Sequence, residues 1–235
     1  MIRRIDELVS VINTKENKSI VFKGPHKYNI DIIHNGNVYI KFVTNGKECI
    51  GIDYEDRILH LGNYYFNTPD DCVRVPNDWF FNDFLKPLGF GLKAKKIVLN
   101  DASIKHFVSC TVPMIFFALS GKQTFYNHYG FINKRFDRYV EKLKTRTLRD
   151  IDVTNSIVLS QGKQPIALMK RLIKSGYFDK PIPEVAQFVL DTCNSSKDIS
   201  ITNDISITND IIKFFKLKII IENQFEFICK IGTKN

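Results

Sequence analysis

Between Tyr28 and Phe66 apolar and polar residues alternate at period two. The alternation breaks three times, at His34-Asn35-Gly36-Asn37, at Asn45-Gly46 and at the acidic stretch Asp53 to Asp56. Alternation sends successive side chains to opposite faces of a sheet, and Asn-Gly between two such runs reads as a hairpin. The runs Tyr28 to Ile33, Val38 to Val43, Cys49 to Tyr54 and Arg57 to Phe66 therefore predict an antiparallel meander. With the short run Ser19 to Phe22 ahead of them, it has four or five strands and fills the first seventy residues.

Before the meander, RIDELVSVI (4 to 12) fits a helix or a strand. After it, NTPDD (67 to 71) breaks the pattern. Asn77 or Asp78 then caps a helix whose apolar residues fall at 80, 81, 84, 85 and 88, and Pro87 and Gly89 are expected to end it. KKIVLNDAS, from Lys95, is a buried strand with a polar end. Pro113 argues against one unbroken helix over Ser103 to Leu119. Gln123 to Tyr129 reads as a short helix stopped by Gly130, Phe131 to Phe136 as a strand, and the basic Arg138 to Arg149 as a helix or a loop.

The character changes after Asp150. Gln164 to Ile173 and Ile182 to Thr192 read as a helical hairpin. DISITN then occurs twice, from Asp198 to Asn209, as a low-complexity insert that either pairs as a strand or stays disordered. LKIII and FEFICKI close the chain as a terminal β-hairpin. The expected fold class is a mixed α/β (α+β) chain, with a mostly antiparallel sheet flanked by helices over 1–150 and an extension over 151–235.

The formal charge of +9 favours acidic partners: nucleic acid, anionic lipid or a phosphate-bearing cofactor. The five cysteines are scattered without a CxxC pair, which gives no zinc spacing and suggests reduced thiols in an intracellular compartment. MIRRIDELVSVI lacks the apolar core of a signal peptide, and the longest apolar run, Phe107 to Leu119, is too short to span a bilayer. A cytoplasmic protein without a membrane partner is the expectation.

FYNHYGF (125 to 131), preceded by KKIVLNDAS and by meander, loop and helix in that order, resembles the GNAT N-acetyltransferase superfamily. SGKQTFYNHYGF is similar to a variant found in GNAT-like proteins of large DNA viruses. The resemblance covers roughly residues 28 to 136. It implies acetyl-CoA bound where the central strand splays from its neighbour, with the pyrophosphate on main-chain amides at the start of the central helix. It implies an amine acceptor, on a small molecule or a protein, that attacks the thioester directly. It makes Tyr126, the second aromatic, the acid that protonates the leaving thiolate. The stretch aligned with the family's phosphate loop is CVRVPNDWFFND, so Arg74, Val75, Asn77 and Asp78 are the candidate cofactor residues. That stretch has no glycine; Val75, Pro76 and Trp79 are expected to crowd a phosphate, and the site is either rebuilt or lost.

Other candidates have plainer readings. Asp53, Glu55 and Asp56 are a metal or general-base cluster or a solvated turn. His128 is an acid–base candidate within the motif or is merely half exposed. Gly121-Lys122-Gln123-Thr124 is similar to the end of a P-loop without its first glycine. Lys134 to Arg149, with Phe136 and Tyr139 interleaved, either tracks a nucleic-acid backbone or is an exposed helix. Three functions follow: a GNAT-like acetyltransferase, a GNAT-like binding or structural protein without catalysis, viral or not, and a basic nucleic-acid-binding protein.

Overall fold

The computed structural model describes residues 1–64, 72, 75–101, 104–107, 110–151, 164–195, 202–215 and 225–231. In chain order its elements begin with α1 (Ile5–Asn13), β1 (Lys18–Lys23), β2 (Lys27–Asn35), β3 (Asn37–Thr44), β4 (Lys47–Glu55) and β5 (Ile58–Tyr64). Helix α2 follows, π-helical over Trp79–Leu85 and α-helical over Lys86–Gly91. Then come β6 (Lys96–Asp101), β7 (Ile104–His106), β8 (Thr111–Pro113), α3 (Ile115–Leu119), α4 (Phe125–His128) and α5 (Lys134–Lys144). The last are α6 (Gln164–Lys174), α7 (Ile182–Ser195), α8 (Thr202–Phe215) and β9 (Phe225–Lys230). The fold is mixed α/β, with a mostly antiparallel sheet and flanking helices, as the sequence predicts.

The chain forms two compact units that interleave in sequence. The first holds Met1–Asn100, Tyr129–Ile132 and Glu226–Asn235; the second holds Asp101–His128 and Asn133–Phe225.

The first unit is built on a seven-stranded sheet of order β1-β2-β3-β4-β5-β6-β9. The five-strand meander is present in antiparallel register from Lys18↔Ile32 to Glu55↔Ile58. β5 then pairs parallel with β6, from Ile58↔Lys96 to Leu61↔Leu99. A parallel neighbour needs a crossover connection, and α2 supplies it. Its Phe80, Phe81, Phe84, Leu85 and Leu88 are fully buried, each worth about 1.5–3 kcal/mol of apolar transfer. The Phe84 ring lies 5.4 Å from that of Phe22 and 5.0 Å from that of Phe42, so the helix covers the face carrying both. A Cβ on Gly89 would meet Ile231 Cδ1 at 2.3 Å and Leu59 Cδ1 at 3.2 Å; glycine lets the helix sit this close to β5.

Pro87 and Gly89 do not end the helix. It runs to Gly91, because the turn before Pro87 is wide: the Lys86 amide donates to Phe81 O, five residues back. The π-turn removes the i−4 partner that proline cannot bond and would otherwise clash with.

In the second unit α7 packs against α3 and α8, and α6 against α8. Phe116 and Phe215 meet at 4.7 Å in its core. Arg171 on α6 forks onto the nearly buried carboxylate of Asp210 on α8, at 2.6 and 2.9 Å.

Several expectations need correction. Phe131 to Phe136 is not a strand: Ile132 makes a single bridge with Ile228, and Asn133 starts α5 by accepting from the amides of Arg135 and Phe136. A side-chain cap three residues into the run stopped strand pairing. The second DISITN copy is neither strand nor disordered but part of α8. Thr208, Ile211, Ile212 and Phe215 are all buried at i, i+3, i+4 and i+7, so the stripe set by the residues after the repeat overrides its period of two. LKIII falls outside the described residues, so only the second strand of the expected terminal hairpin, β9, is seen. The thiols are not all reduced: Cys49 pairs with Cys72 and Cys110 with Cys193, leaving Cys229 free and buried. The spacing hid this because pairing depends on Cα separations, 5.6 and 5.7 Å here, that only the fold creates.

Denatured without reductant, the chain should present one reactive thiol to Ellman's reagent, and five after reduction. Reduction of either bond should lower urea stability by about 2–4 kcal/mol. Five thiols without reductant would restore the reduced reading.

Candidate functional site

In a β-α-β crossover the helix begins at the end where both strands finish, and ligands of open sheets collect there. In the first unit those ends belong to β5, β6 and α2. The parallel register of β5 and β6 reaches Leu61 opposite Leu99, and beyond it β5 continues against β4 as far as Tyr64↔Ile50. The register between β4 and β5 shifts at the same level: Ile52 faces Leu61 but Gly51 faces Asn63, so Gly62 is an extra residue bulged out of β5. A bulge leaves its main-chain groups out of the ladder and re-aims the strand.

Asn77 and Asp78 stand at the start of α2, and Phe80 N donates to Pro76 O at 2.9 Å. Asp78 makes no capping bond of its own. Its carboxylate instead accepts, at 2.9 Å, from the hydroxyl of Tyr129, whose ring stacks on Phe81 at 4.5 Å. Tyr129 is 5% exposed; burial, and then the Asp78 carboxylate, push its phenol up to about 12. Sequence reasoning missed Tyr129. It stands 51 residues from Asp78, and the only signal was an aromatic directly before Gly130-Phe131.

Val75 is half-buried and lines a cleft of about 80 Å³ with Tyr28, Phe42 and Cys49, well below the roughly 300 Å³ of a cofactor pocket. Trp79 does not crowd the start of the helix as expected. Its indole stacks on Tyr28 at 5.2 Å, and it closes over Gly24, where a Cβ would meet it at 2.3 Å. The Tyr28 hydroxyl is buried without a well-formed hydrogen bond, although the His26 main chain lies near, and burial raises this phenol also to about 12. Arg74 lies outside the described residues.

Tyr126 belongs to the second unit, on α4, where it is buried and meets Phe125 edge-on at 5.3 Å. FYNHYGF is therefore shared between the units: Phe125 to His128 in one, Tyr129 to Phe131 in the other. His128 is exposed.

Gly121 to Thr124 is not a phosphate loop. Gly121, at φ +81, donates its amide to Ala118 O, and the Lys122 amide reaches back to Phe117 O. This is a Schellman end to α3, and it uses the amides that a phosphate would need. A cavity of about 240 Å³ lies beside it, lined among others by Thr124, Asn127, Asp137, Glu141 and Lys144. Burial, with Glu141 close by, raises the carboxyl of Asp137. The acidic stretch is not a turn throughout: Asp53 to Glu55 belong to β4, with Asp53 opposite His60 and Glu55 opposite Ile58, and only Asp56 turns, with Arg57, both at the positive φ of a type I′ hairpin. Among the described residues no group of acidic, His or Cys side chains is arranged to hold a metal ion. Nor is any helix there long and apolar enough to cross a membrane.

No family model, no curated protein and no solved structure matches this chain.

The raised phenols give a test with a definite sign. An unfolded tyrosine ionises near 10, while Tyr129 holds its proton to about 12, so its stabilisation is complete below pH 10 and disappears as pH rises to 12. Tyr129→Phe should remove one late-titrating phenol from the absorbance titration near 295 nm. It should also cost about 1 kcal/mol at neutral pH for the lost bond to an exposed carboxylate. An unchanged late phase would show that Tyr129 is not a raised phenol.

Proposed function

We propose that this chain is a GNAT-like N-acetyltransferase that moves an acetyl group from acetyl-CoA to an amine of a small molecule or protein. The observation that supports it is the β5–α2–β6 crossover, with its parallel register stopping at Leu61 and Leu99 and Gly62 bulged at that level. Main-chain groups released there suit the amide-rich arm of the cofactor, and the first turn of α2 suits its pyrophosphate. On this reading Arg74 and the Val75, Asn77 and Asp78 segment hold the phosphates. The deprotonated amine attacks the thioester carbonyl. Cleavage of the C–S bond would leave a thiolate that takes up a proton while the new amide nitrogen gives one up to solvent, and the resemblance gives the role of the acid to Tyr126.

A second reading, a GNAT-like binding or structural protein without catalysis, viral or not, is favoured by a specific pair of residues. Pro76 has no amide to offer, and the Asp78 carboxylate at the head of the helix repels a pyrophosphate.

A cytoplasmic location goes with either reading only if both cysteine pairs are found reduced in acid-trapped extract, since Cys49–Cys72 and Cys110–Cys193 suit an oxidising compartment.

Titration calorimetry with acetyl-CoA and with CoA decides between the two readings. The enzyme should bind acetyl-CoA with a Kd of about 100 μM or tighter. Tyr126→Phe should keep that affinity and lose about 10²-fold in kcat. No heat at several times that concentration removes the cofactor and leaves the scaffold.

A further inference from the structure

We propose that the outward face of α5, in the second unit, is a docking surface for the phosphate backbone of a nucleic-acid strand. The helix separates its residues by face. Phe136, Val140 and Leu143 are buried. Lys134, Arg138 and Lys142, spaced four apart, are exposed, and Arg135 is exposed beside them. At 100° per residue these four cations fall within about 100° of arc, opposite the buried stripe. Successive members of the Lys134, Arg138, Lys142 row rise about 6 Å, one step per turn.

The helix's own acids do not neutralise this row. Asp137 and Glu141 fall on the adjoining flank and line the 240 Å³ cavity with Lys122 and Lys144. Glu141 is already taken by Lys144 at 2.8 Å. Among the described residues, Lys134, Arg138 and Lys142 form no salt bridge; Arg138 only returns its Nε to Lys134 O. Helices α3 and α7 pack on α5, whose buried residues are the apolar Phe136, Val140 and Leu143.

The position of the charge also matters. Lys134 and Arg135 occupy the first turn, where the helix dipole disfavours cations, so folding of α5 does not account for them. Asn133 caps the helix without their help.

Three chemistries would neutralise such a row, and the observations favour one. A membrane-bound helix inserts an apolar face, but that of α5 is spent in the core. A protein interface is anchored by a cluster of buried apolar or aromatic residues, and this face offers a single half-buried ring at its border. A phosphodiester strand needs regularly spaced cations and a ring to stack on. Tyr139, half-buried at the border of the arc and one turn from both Arg135 and Lys142, supplies the ring. Phe136 cannot, being 3% exposed.

The test is fluorescence anisotropy of the whole chain with labelled single-stranded RNA and DNA of about 20 nucleotides. A duplex of the same sequence and vesicles of phosphatidylserine serve as competitors. Lys134→Ala/Arg138→Ala/Lys142→Ala is compared with Lys170→Ala/Lys174→Ala/Lys213→Ala, which removes the same charge from other exposed positions. The α5 variant should bind about tenfold more weakly and lose about 2 from the slope of log K against log salt on a single strand; the control should lose little of either. Equal losses in the two variants, or no binding by the unaltered chain at about 50 mM salt, overturn the proposal. Binding displaced by vesicles but not by the duplex overturns it also. Should the triple variant not fold, Lys142→Glu alone carries the test; affinity unchanged in that variant refutes the surface.

Discussion

Burial of three phenyl rings under a meander holds the first unit together. Phe80, Phe81 and Phe84 have no exposed surface; Phe84 packs on Phe22 and Phe42, Phe80 on Phe42, and Phe81 on Tyr129 and Phe131. At i, i+1 and i+4 the three rings fall within about 100° of arc, on one face. They lie on the wider π-turn over Trp79–Leu85. That same widening lets Pro87 stand inside the helix, and the helix then comes down on Leu59 at Gly89. Its far end is fixed by α1, whose Val9 Cγ2 would meet a Cβ on Gly91 at 2.7 Å. A helix held at both ends leaves β6 one place to go, beside β5 and parallel to it.

At the carboxyl ends of β5 and β6, the bulge at Gly62, the head of α2 and the Tyr129–Asp78 bond come from three separate stretches of chain. Tyr129 stacks on one of the three phenyl rings and donates to the carboxylate at the helix head, so the core and the start of α2 are joined through one side chain.

How much of this was legible follows from range. The meander was readable because period two and Asn-Gly turns are local signals, and β2 through β4 fall where those signals put them. The apolar spacing at 80, 81, 84, 85 and 88 marked α2 correctly but gave no hint that its first half is π-helical. DISITN misled because its alternation is genuine, yet Ile211, Ile212 and Phe215 beyond it bury more surface as a helix. The disulfides join residues 23 and 83 positions apart, and nothing at Cys49 or Cys110 announces the partner. At the candidate site the sequence pointed to FYNHYGF, but not to the division that puts Tyr129 with Asp78 and Tyr126 in the other unit.

The interleaving of the units has a consequence for synthesis. Ile132 and β9 complete the sheet, yet some ninety residues of the second unit leave the ribosome between them. Translation at about 5–20 residues per second means that the free edge of β6 waits on the order of ten seconds for its last neighbour. A nascent chain of this kind exposes an unsatisfied strand edge throughout that interval, and whatever shields it then, a chaperone or the inserted helices themselves, governs the yield of native protein.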